Sequence, residues 1–335
     1  MINIRIQTIL SLVCLCLYGC IQPDKDNLWS AIIEKTIDTG GFARDIHMEG
    51  DTAFIAAGQA GIQIWNLNSE NLIGEYAGYG NADFQDVSRV YFDRINSMLF
   101  IMDQSEMMFD EYDSTFLVIP DPFGDSHIED FIVLSEMEGS FSIYWVDRDA
   151  TDGFLWQETE FNTQFSIWSP AENSGRLTDW SSPLKGLAIH NEYIAFAGDQ
   201  LGVYLYAYTP DPFNLELISR IDTEGNAEKV HMTEGGVFVS CDDAGAYYIP
   251  IESFSGDGAS YRFAEDLTVD HIAVKDDIAS LSLGSKGVAL YDISDPTQPE
   301  ERGIFPVGYT YRTVFWKDQL LACTREGVQV VSIER

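Results

Sequence analysis

Basic residues are scarce in this chain. Its 19 lysines and arginines stand against 54 aspartates and glutamates, which gives a formal net charge of −35 at pH 7. A surface this acidic favours solubility and repels nucleic acid and anionic lipid headgroups. We therefore expect no nucleic-acid partner. A saline habitat or bound divalent cations would each be compatible with this charge.

Catalytic signatures are missing as well. The sequence contains no G-x-S-x-G, H-E-x-x-H, C-x-x-C or G-x-x-x-x-G-K, the common signals of hydrolases, zinc proteases, dithiol redox proteins and P-loop enzymes. Its five histidines show no ligand spacing, whereas metal coordination needs several convergent donors. The sequence thus predicts no catalytic residue, no cofactor and no metal site. Residues 147–153 resemble a calcium loop with one extra residue, and we interpret them as a hairpin turn.

The N-terminus carries the pattern of a secretory signal. Residues 1–19 contain Arg5, an apolar core from Ile9 to Leu17, and the small residue Gly19 directly before Cys20. This run is too short to be a membrane-spanning helix. We therefore expect residues 1–19 to be a signal peptide that is removed on export.

Cys20 lies where a lipid anchor is expected. The sequence Leu17-Tyr18-Gly19-Cys20 resembles the lipobox of bacterial lipoproteins. The resemblance implies that Cys20 becomes the acylated N-terminus and that residues 20–28 tether residues 29–335 to a membrane. Ile21-Gln22 lacks the aspartate of an inner-membrane retention signal, so we expect an outer-membrane or cell-surface location. The alternative is an ordinary signal peptide with a chance cysteine.

A repeat of 40 to 50 residues organises the rest of the chain. Its clearest copy, residues 269–305, has three apolar runs separated by tight turns: Ile272–Val274, Ile278–Leu283 and Val288–Ile293. The third run ends at Asp295-Pro296, because proline cannot donate to a sheet ladder. Five copies carry a turn glycine immediately before the third run, at Gly61, Gly202, Gly245, Gly287 and Gly327.

Two further copies are degenerate. Gly61 and Gly202 are 141 residues apart, which is three periods of 47. We predict three strands of one copy at 87–92, 98–102 and 115–123, and three of the other at 131–137, 140–147 and 153–161. Four short strands per copy at this period are typical of a β-propeller. The sequence therefore predicts an all-β fold: a single propeller of seven blades, each of four antiparallel strands.

Three stretches resemble the LVIVD repeat of bacterial propeller proteins. They are GIQIWNL at 61–67, GVALYDISDPTQP at 287–299 and GVQVVSI at 327–333. The resemblance covers about residues 40–335 and implies a propeller fold. It implies no activity, because that family is defined by its repeat and not by a catalytic motif.

The N-terminal strand is expected to close the ring. Residues 29–39 alternate in polarity like a strand, and the last copy ends at Ile333 with its third strand. We expect residues 29–39 to supply the missing fourth strand, which would remove exposed sheet edges. The alternative is a tether that extends to Gly41.

Cysteine is scarce too. Cys14 and Cys16 belong to the signal, while Cys241 and Cys323 each lie four residues before a turn glycine. They therefore occupy equivalent second strands two blades apart. That separation should exceed the Cα distance of about 7 Å beyond which a disulfide cannot form. We expect two buried free thiols.

Charged residues recur where the first strand of each copy begins, at the expected mouth of the central funnel. One interpretation is a funnel that binds a small carboxylate or a sugar acid. The other is that the charges pair with Asp45, Asp86, Glu228 and Asp270 and seal the channel mouth. The candidate funnel residues are Arg44, Asp45, Arg89, Lys185, Lys229, Asp270, His271 and Arg312.

We expect an anchored, non-enzymatic binding or scaffolding protein with a protein or glycan partner. Residues 103–114 and 162–182 are predicted to be long irregular insertions, where binding residues are often placed. The alternative is a propeller hydrolase or lyase that acts on an exported carbohydrate or lactone, with Asp45 and Asp270 as acid, base or metal ligands. Catalysis would require two or three titratable groups within hydrogen-bond reach of one substrate position.

Overall fold

The computed structural model describes residues 28–79, 81–104, 106–111, 117–118, 127–138, 140–148, 163–169, 176–180, 184–209 and 214–335. Within these ranges the protein consists of β-strands with one short 3-10 turn at Ile251–Ser255 and no α-helix. No helix of the described residues is long and apolar enough to cross a bilayer. The prediction of an all-β fold is confirmed.

The strands form seven four-stranded antiparallel sheets and one two-stranded sheet in the described part of the chain. The last four-stranded sheet combines β1 (Ser30–Ile37) with three strands from the end of the chain. The first two sheets made of successive strands are β2 to β5 (Asp45–Glu49, Thr52–Ala56, Ile62–Asn66, Asn71–Tyr76) and β8 to β11 (Val87–Asp93, Met98–Asp103, Glu106–Glu111, Leu117–Val118). Between them, β6 and β7 (Gly78–Tyr79, Ala82–Asp83) form the two-stranded sheet.

The remaining sheets follow the same order. They are β12 to β15 (His127–Met137, Ser140–Arg148, Thr163–Trp168, Arg176–Trp180), β16 to β19 (Gly186–His190, Tyr193–Ala197, Val203–Thr209, Asn214–Ile221), β20 to β23 (Lys229–Met232, Gly236–Ser240, Ala246–Pro250, Tyr261–Phe263) and β24 to β27 (His271–Lys275, Ile278–Ser282, Val288–Asp292, Glu300–Phe305). The chain ends with β28 to β30 (Thr310–Trp316, Gln319–Thr324, Gly327–Glu334).

The first strands of the sheets lie side by side around a common axis. Each of β2, β8, β12, β16, β20 and β24 contacts the first strand of the next sheet, and β28 contacts β2. Later strands of each sheet follow outward. The second strands β21 and β25 are completely buried, whereas the fourth strands β5 and β27 are largely exposed. This is the architecture of a β-propeller.

The N-terminal strand completes the last sheet. β1 pairs antiparallel with β30, from Ser30 opposite Glu334 to Ile37 opposite Val328, with a shift between Ile33 and Lys35. β1 is therefore the outermost strand of a sheet whose other strands come from the C-terminus. The predicted role of residues 29–39 as a fourth strand is confirmed.

The turn glycine of the repeat has a steric cause. Gly287 has φ +88°, and a Cβ placed there would lie 2.1 Å from the carbonyl oxygen of Phe305 in β27. At Gly61 a Cβ would approach the carbonyl of Tyr76 in β5 equally closely. The fourth strand thus passes so close to the turn that a side chain does not fit. This close approach explains why the repeat is marked by glycine.

The second four-stranded sheet differs from its prediction. The third strand was expected at 115–123 after an irregular insertion at 103–114, but it is β10 (Glu106–Glu111), and β11 (Leu117–Val118) is the fourth strand. β9 ends at Asp103 and β10 begins at Glu106, and no glycine stands between them. The prediction was therefore wrong because the marker of the third strand was absent.

The next sheet shows a similar shift. The third strand expected at 153–161 lies outside the described residues, and β14 (Thr163–Trp168) pairs with β13 in that position. β15 (Arg176–Trp180) then pairs with β14 as the fourth strand. Describing all of 162–182 as an irregular insertion was therefore wrong, because two ladder strands lie within it.

Both remaining cysteines are free and buried, as predicted. Burial raises the pKa of the Cys241 thiol to about 12, and burial raises that of Cys323 well above its usual value. A buried thiol with a raised pKa is a poor nucleophile.

Candidate functional site

The first strands bring charged side chains from separate sheets together at the axis. Because these strands contact one another around the ring, residues more than forty positions apart in sequence become neighbours. We call this set the axial cluster, and its members are Asp45 in β2, Arg89 in β8, Asp130 in β12, Lys229 in β20 and Arg312 in β28.

Asp45 is shared by two arginines. Its Oδ2 accepts a hydrogen bond from Nε of Arg89 at 3.1 Å, and its Oδ1 lies 3.0 Å from Nε of Arg312. The backbone N–H of Val90 also donates to Oδ2 at 3.1 Å. Only 3% of the Asp45 side chain is exposed, so its charge depends on these partners. The arrangement fixes three first strands relative to one another.

Asp130 forms the second shared carboxylate. Its Oδ1 accepts hydrogen bonds from Arg89 and from the backbone N–H of Phe131, and its Oδ2 lies 3.5 Å from Nζ of Lys229. Burial alone would raise the pKa of Asp130, but Arg89, Lys229 and Arg312 together lower it. Asp130 is therefore held in its ionised form.

The side-chain nitrogen of Lys229 contacts three oxygen atoms. Its Nζ donates to the backbone carbonyls of Glu129 at 3.0 Å and Lys185 at 2.6 Å, in addition to its approach to Asp130. Burial lowers the pKa of Lys229, although Asp130 opposes that effect. Burial also lowers the pKa of Arg312, with Asp45 opposing, but arginine stays charged at neutral pH.

A cavity of about 240 Å³ adjoins the axial cluster. We call it the axial cavity. Its charged and polar lining residues are Arg89, Asp130, Lys229 and Arg312, together with His231 and His271. The remaining lining residues are apolar, and we call them the apolar wall: Ile132, Leu187, Ala188, Ile189, Val230 and Met232.

The two cavity histidines are neutral at pH 7. Burial lowers the pKa of His231 to about 4, and burial followed by Arg312 and Arg89 lowers that of His271 well below its usual value. Nδ1 of His271 is buried and has no hydrogen-bond partner among the described residues. His47, by contrast, lies in β2 away from the cavity and packs on the ring of Tyr91, with centroids 4.4 Å apart.

Four of the eight predicted funnel residues line the axial cavity: Arg89, Lys229, His271 and Arg312. Asp45 belongs to the adjoining cluster. Arg44 does not reach it, because its guanidinium pairs with Asp86 at 3.2 Å. Asp270 lies outside the cavity lining, and burial, then the charge of Asp242, raises its pKa. The structure therefore brings together part of the predicted set.

Sequence reasoning missed Asp130 and His231. Asp130 directly precedes the apolar run 131–137, as Asp45 directly precedes Ile46. The third sheet has no turn glycine for alignment, and for that reason the position was overlooked. His231 was not among the candidate funnel residues, although alternation within β20 could have placed it with Lys229 on the axial side.

A second cluster lies at the start of β2 and β28 and in the turn between β29 and β30. We call it the mouth patch; it consists of Phe42, Arg44, Tyr309, Tyr311 and Arg325. The guanidinium of Arg325 lies 3.9 Å from the ring centroid of Tyr309, and that of Arg44 lies 4.5 Å from that of Tyr311. Phe42 is 47% exposed. In this very acidic chain, the patch combines exposed aromatic surface with two cations.

No group of three or more metal-binding side chains occurs in the described residues. Asp147, the first carboxylate of the calcium-like sequence, accepts a hydrogen bond from Nε1 of Trp145 at 3.0 Å. Residues 149–153 of that sequence lie outside the described part of the chain, so its interpretation as a turn stays a prediction.

Solved structures with low sequence identity share the fold. The WD40 repeats of RRP9 align over 91% of this chain and 96% of that chain, with a TM-score of 0.65 and 14% identity. The β-propeller domain of Cps50 (Swd1) from Myceliophteria thermophila aligns over 90% and 99%, with a TM-score of 0.64 and 10% identity. No family model and no curated protein matches the chain. These similarities support the propeller fold and carry no information on ligand or activity.

Proposed function

We propose that this protein is an exported, lipid-anchored binding or scaffolding module in which the seven four-stranded sheets are the blades of one closed ring. The unbroken series of contacts between first strands supports the ring, as does the pairing of β1 with β30. In this proposal residues 1–19 are a signal peptide, residues 20–28 are a tether, and the LVIVD resemblance reflects family membership.

The ion pairs of Asp45 and Asp130 favour a binding function over a catalytic one. Asp45 is shared by Arg89 and Arg312, and Asp130 contacts Arg89 and Lys229. A general base must be free to accept a proton from the substrate. These carboxylates are instead stabilised as anions by cations on both sides. The axial cluster is therefore built to hold a fixed charge pattern.

The cavity histidines are unsuited to replace the carboxylates as bases. Accepting a proton would create an imidazolium in the same cavity as Arg312 and Lys229. Burial first and Arg312 second lower the pKa of His231 to about 4, and burial followed by Arg312 and Arg89 lowers the pKa of His271. At pH 7 both act as neutral hydrogen-bonding groups.

The hydrolase or lyase alternative requires Asp45 and Asp270 to act on one substrate. Asp45 is buried beneath its two arginines, while the Asp270 carboxylate lies beside Gly284 and Tyr309, outside the cavity lining. They do not face a common open position. We therefore favour binding over turnover.

The mouth patch is the surface that we assign to a protein or glycan partner. Tyrosine, arginine and phenylalanine are enriched at interaction hot spots, because they offer large contact areas together with directed donors. Arg325 has no carboxylate partner among the described residues and is exposed. Its guanidinium is thus available to an incoming acidic group.

Turnover assays test the non-enzymatic assignment. The purified full chain is incubated with δ-gluconolactone and with polygalacturonate, and products are followed by proton NMR and by the ultraviolet absorbance of unsaturated uronates. We expect no conversion above that of heat-denatured protein. Conversion that disappears in Asp45→Asn and persists in Asp51→Asn, a half-exposed surface control, would establish the enzyme alternative.

A further inference from the structure

We propose that the axial cavity is a binding site for a small organic monocarboxylate, an inference that rests on the proposed binding function. The cavity has a volume of about 240 Å³. At about 30 Å³ per water molecule in the liquid, this corresponds to roughly eight waters. A short organic acid with a similar number of heavy atoms fits that space.

The charge of the axial cluster suits a monoanion. Three cations, Arg89, Lys229 and Arg312, face two carboxylates, which leaves one positive charge in excess at the centre of a chain whose net charge is −35. A monocarboxylate would neutralise this excess, whereas a dianion would leave the cluster negative. The low-dielectric surroundings strengthen this preference.

Donors remain for such a ligand. Nε of Arg312 lies 3.0 Å from Oδ1 of Asp45 but is buried without a hydrogen bond among the described residues, and the Arg312 side chain is 26% exposed. A guanidinium fork matches the geometry of a carboxylate. Nδ1 of His271, which lines the same cavity, is buried without a partner. An unsatisfied buried polar atom is costly, and a ligand carboxylate in this cavity would supply the missing acceptor.

The apolar wall selects among carboxylates. Ile132, Leu187 and Met232, from three neighbouring first strands, also line the cavity. Their hydrocarbon side chains offer no partners for the hydroxyl groups of a sugar acid or for the additional oxygens of phosphate, so burying such groups against them would be unfavourable. An aliphatic or aromatic body is stabilised by contact with these side chains. The geometry therefore favours such carboxylates over the sugar acids that the sequence also admitted.

Calorimetric titration of the purified full chain at pH 7 tests this proposal. The probes are hexanoate and benzoate, each compared with its neutral amide, hexanamide or benzamide, and with glucuronate and inorganic phosphate. We expect the two carboxylates to bind and to raise the melting temperature. The amides should not bind, because they have the same shape without the charge.

Variants locate the binding in the cavity. Arg312→Gln should weaken hexanoate binding roughly tenfold or more, since a charge-assisted contact is lost. Arg94→Gln makes the same charge change on a side chain that is 78% exposed, and it should bind as the unmodified protein does. His271→Leu removes the unpartnered Nδ1 without changing any charge at pH 7, and it should weaken hexanoate binding even if Arg312→Gln fails to fold.

The outcomes distinguish this inference from the proposed function. Equal binding of amide and acid, or tighter binding of phosphate, overturns the monocarboxylate assignment. Absence of binding by every probe overturns the inference and leaves the anchored scaffold standing. Chemical conversion of a probe, detected by NMR, overturns the proposed function and this inference together.

Discussion

At the residue scale, His231 gives the folded protein a pH dependence. Burial lowers its pKa from 6.5 to about 4, so between these values the unfolded chain binds a proton that the folded chain does not. Stability should therefore fall as pH decreases from 6.5 to 4. A difference of about 2.5 units corresponds to roughly 3 kcal/mol of unfolding free energy. Urea denaturation across this pH range measures it.

The matched variant is His231→Gln, which removes the titrating group from the cavity. Glu228 and Asp270 act in the opposite direction near the acid end, because burial raises the pKa of each and protonation then favours the folded state. The relevant quantity is therefore the difference between the unmodified protein and His231→Gln. An identical pH slope in both proteins would show that His231 is accessible to protons in the folded state.

The burial of two thiols predicts that they react with a thiol reagent only after unfolding. Cys241 and Cys323 are free and buried, and burial raises the pKa of each. We expect neither thiol to react with Ellman's reagent in the native protein within minutes, and both to react in guanidinium chloride. Fast reaction without denaturant would contradict their placement in the core.

At the scale of strands and turns, strand positions were predicted best from the sequence in the copies that contain the turn glycine. The run Val288–Ile293 became β26 (Val288–Asp292), and the run Ile278–Leu283 became β25 (Ile278–Ser282). In the second sheet no glycine stands between β9, which ends at Asp103, and β10, which begins at Glu106, so no turn glycine marked β10. Without this marker the third strand was predicted too late in the chain, at 115–123.

Gly287 allows a direct test of the turn. Gly287→Ala should destabilise the protein by on the order of 3 kcal/mol or more, because alanine would adopt φ +88° and its Cβ would collide with the Phe305 carbonyl. Gly258→Ala is the control, since Gly258 also has positive φ but nothing lies within 4 Å of its Cβ position. Gly258→Ala should lower the free energy of unfolding by about 1 kcal/mol. Thermal and urea denaturation compare the two, and equal losses would exclude the steric explanation.

At the scale of the whole molecule, the ring determines which predicted charges meet. Repeat register placed Arg89, Lys229 and Arg312 at strand starts, and this much could be predicted from the sequence. Which carboxylate each cation contacts could not, because Arg89 and Asp130 are 41 residues apart and meet only when neighbouring sheets pack. Arg44, which is equally basic and adjacent to Asp45, turns outward to Asp86. The direction of each side chain therefore decides whether it lines the axial cavity, as Arg312 does, or belongs to the mouth patch, as Arg44 does.

The anchor gives the final prediction. If Cys20 is acylated, the propeller is held at a membrane by two or three acyl chains, and a chain with a net charge of −35 would otherwise remain in solution. In cells fed labelled fatty acid, Cys20→Ser should lose the label and move to the soluble fraction. Cys16→Ser is the matched control, since it lies within the expected signal and should keep both label and membrane association. A labelled, membrane-bound Cys20→Ser protein would exclude the anchor while leaving the propeller and its axial cavity unaffected.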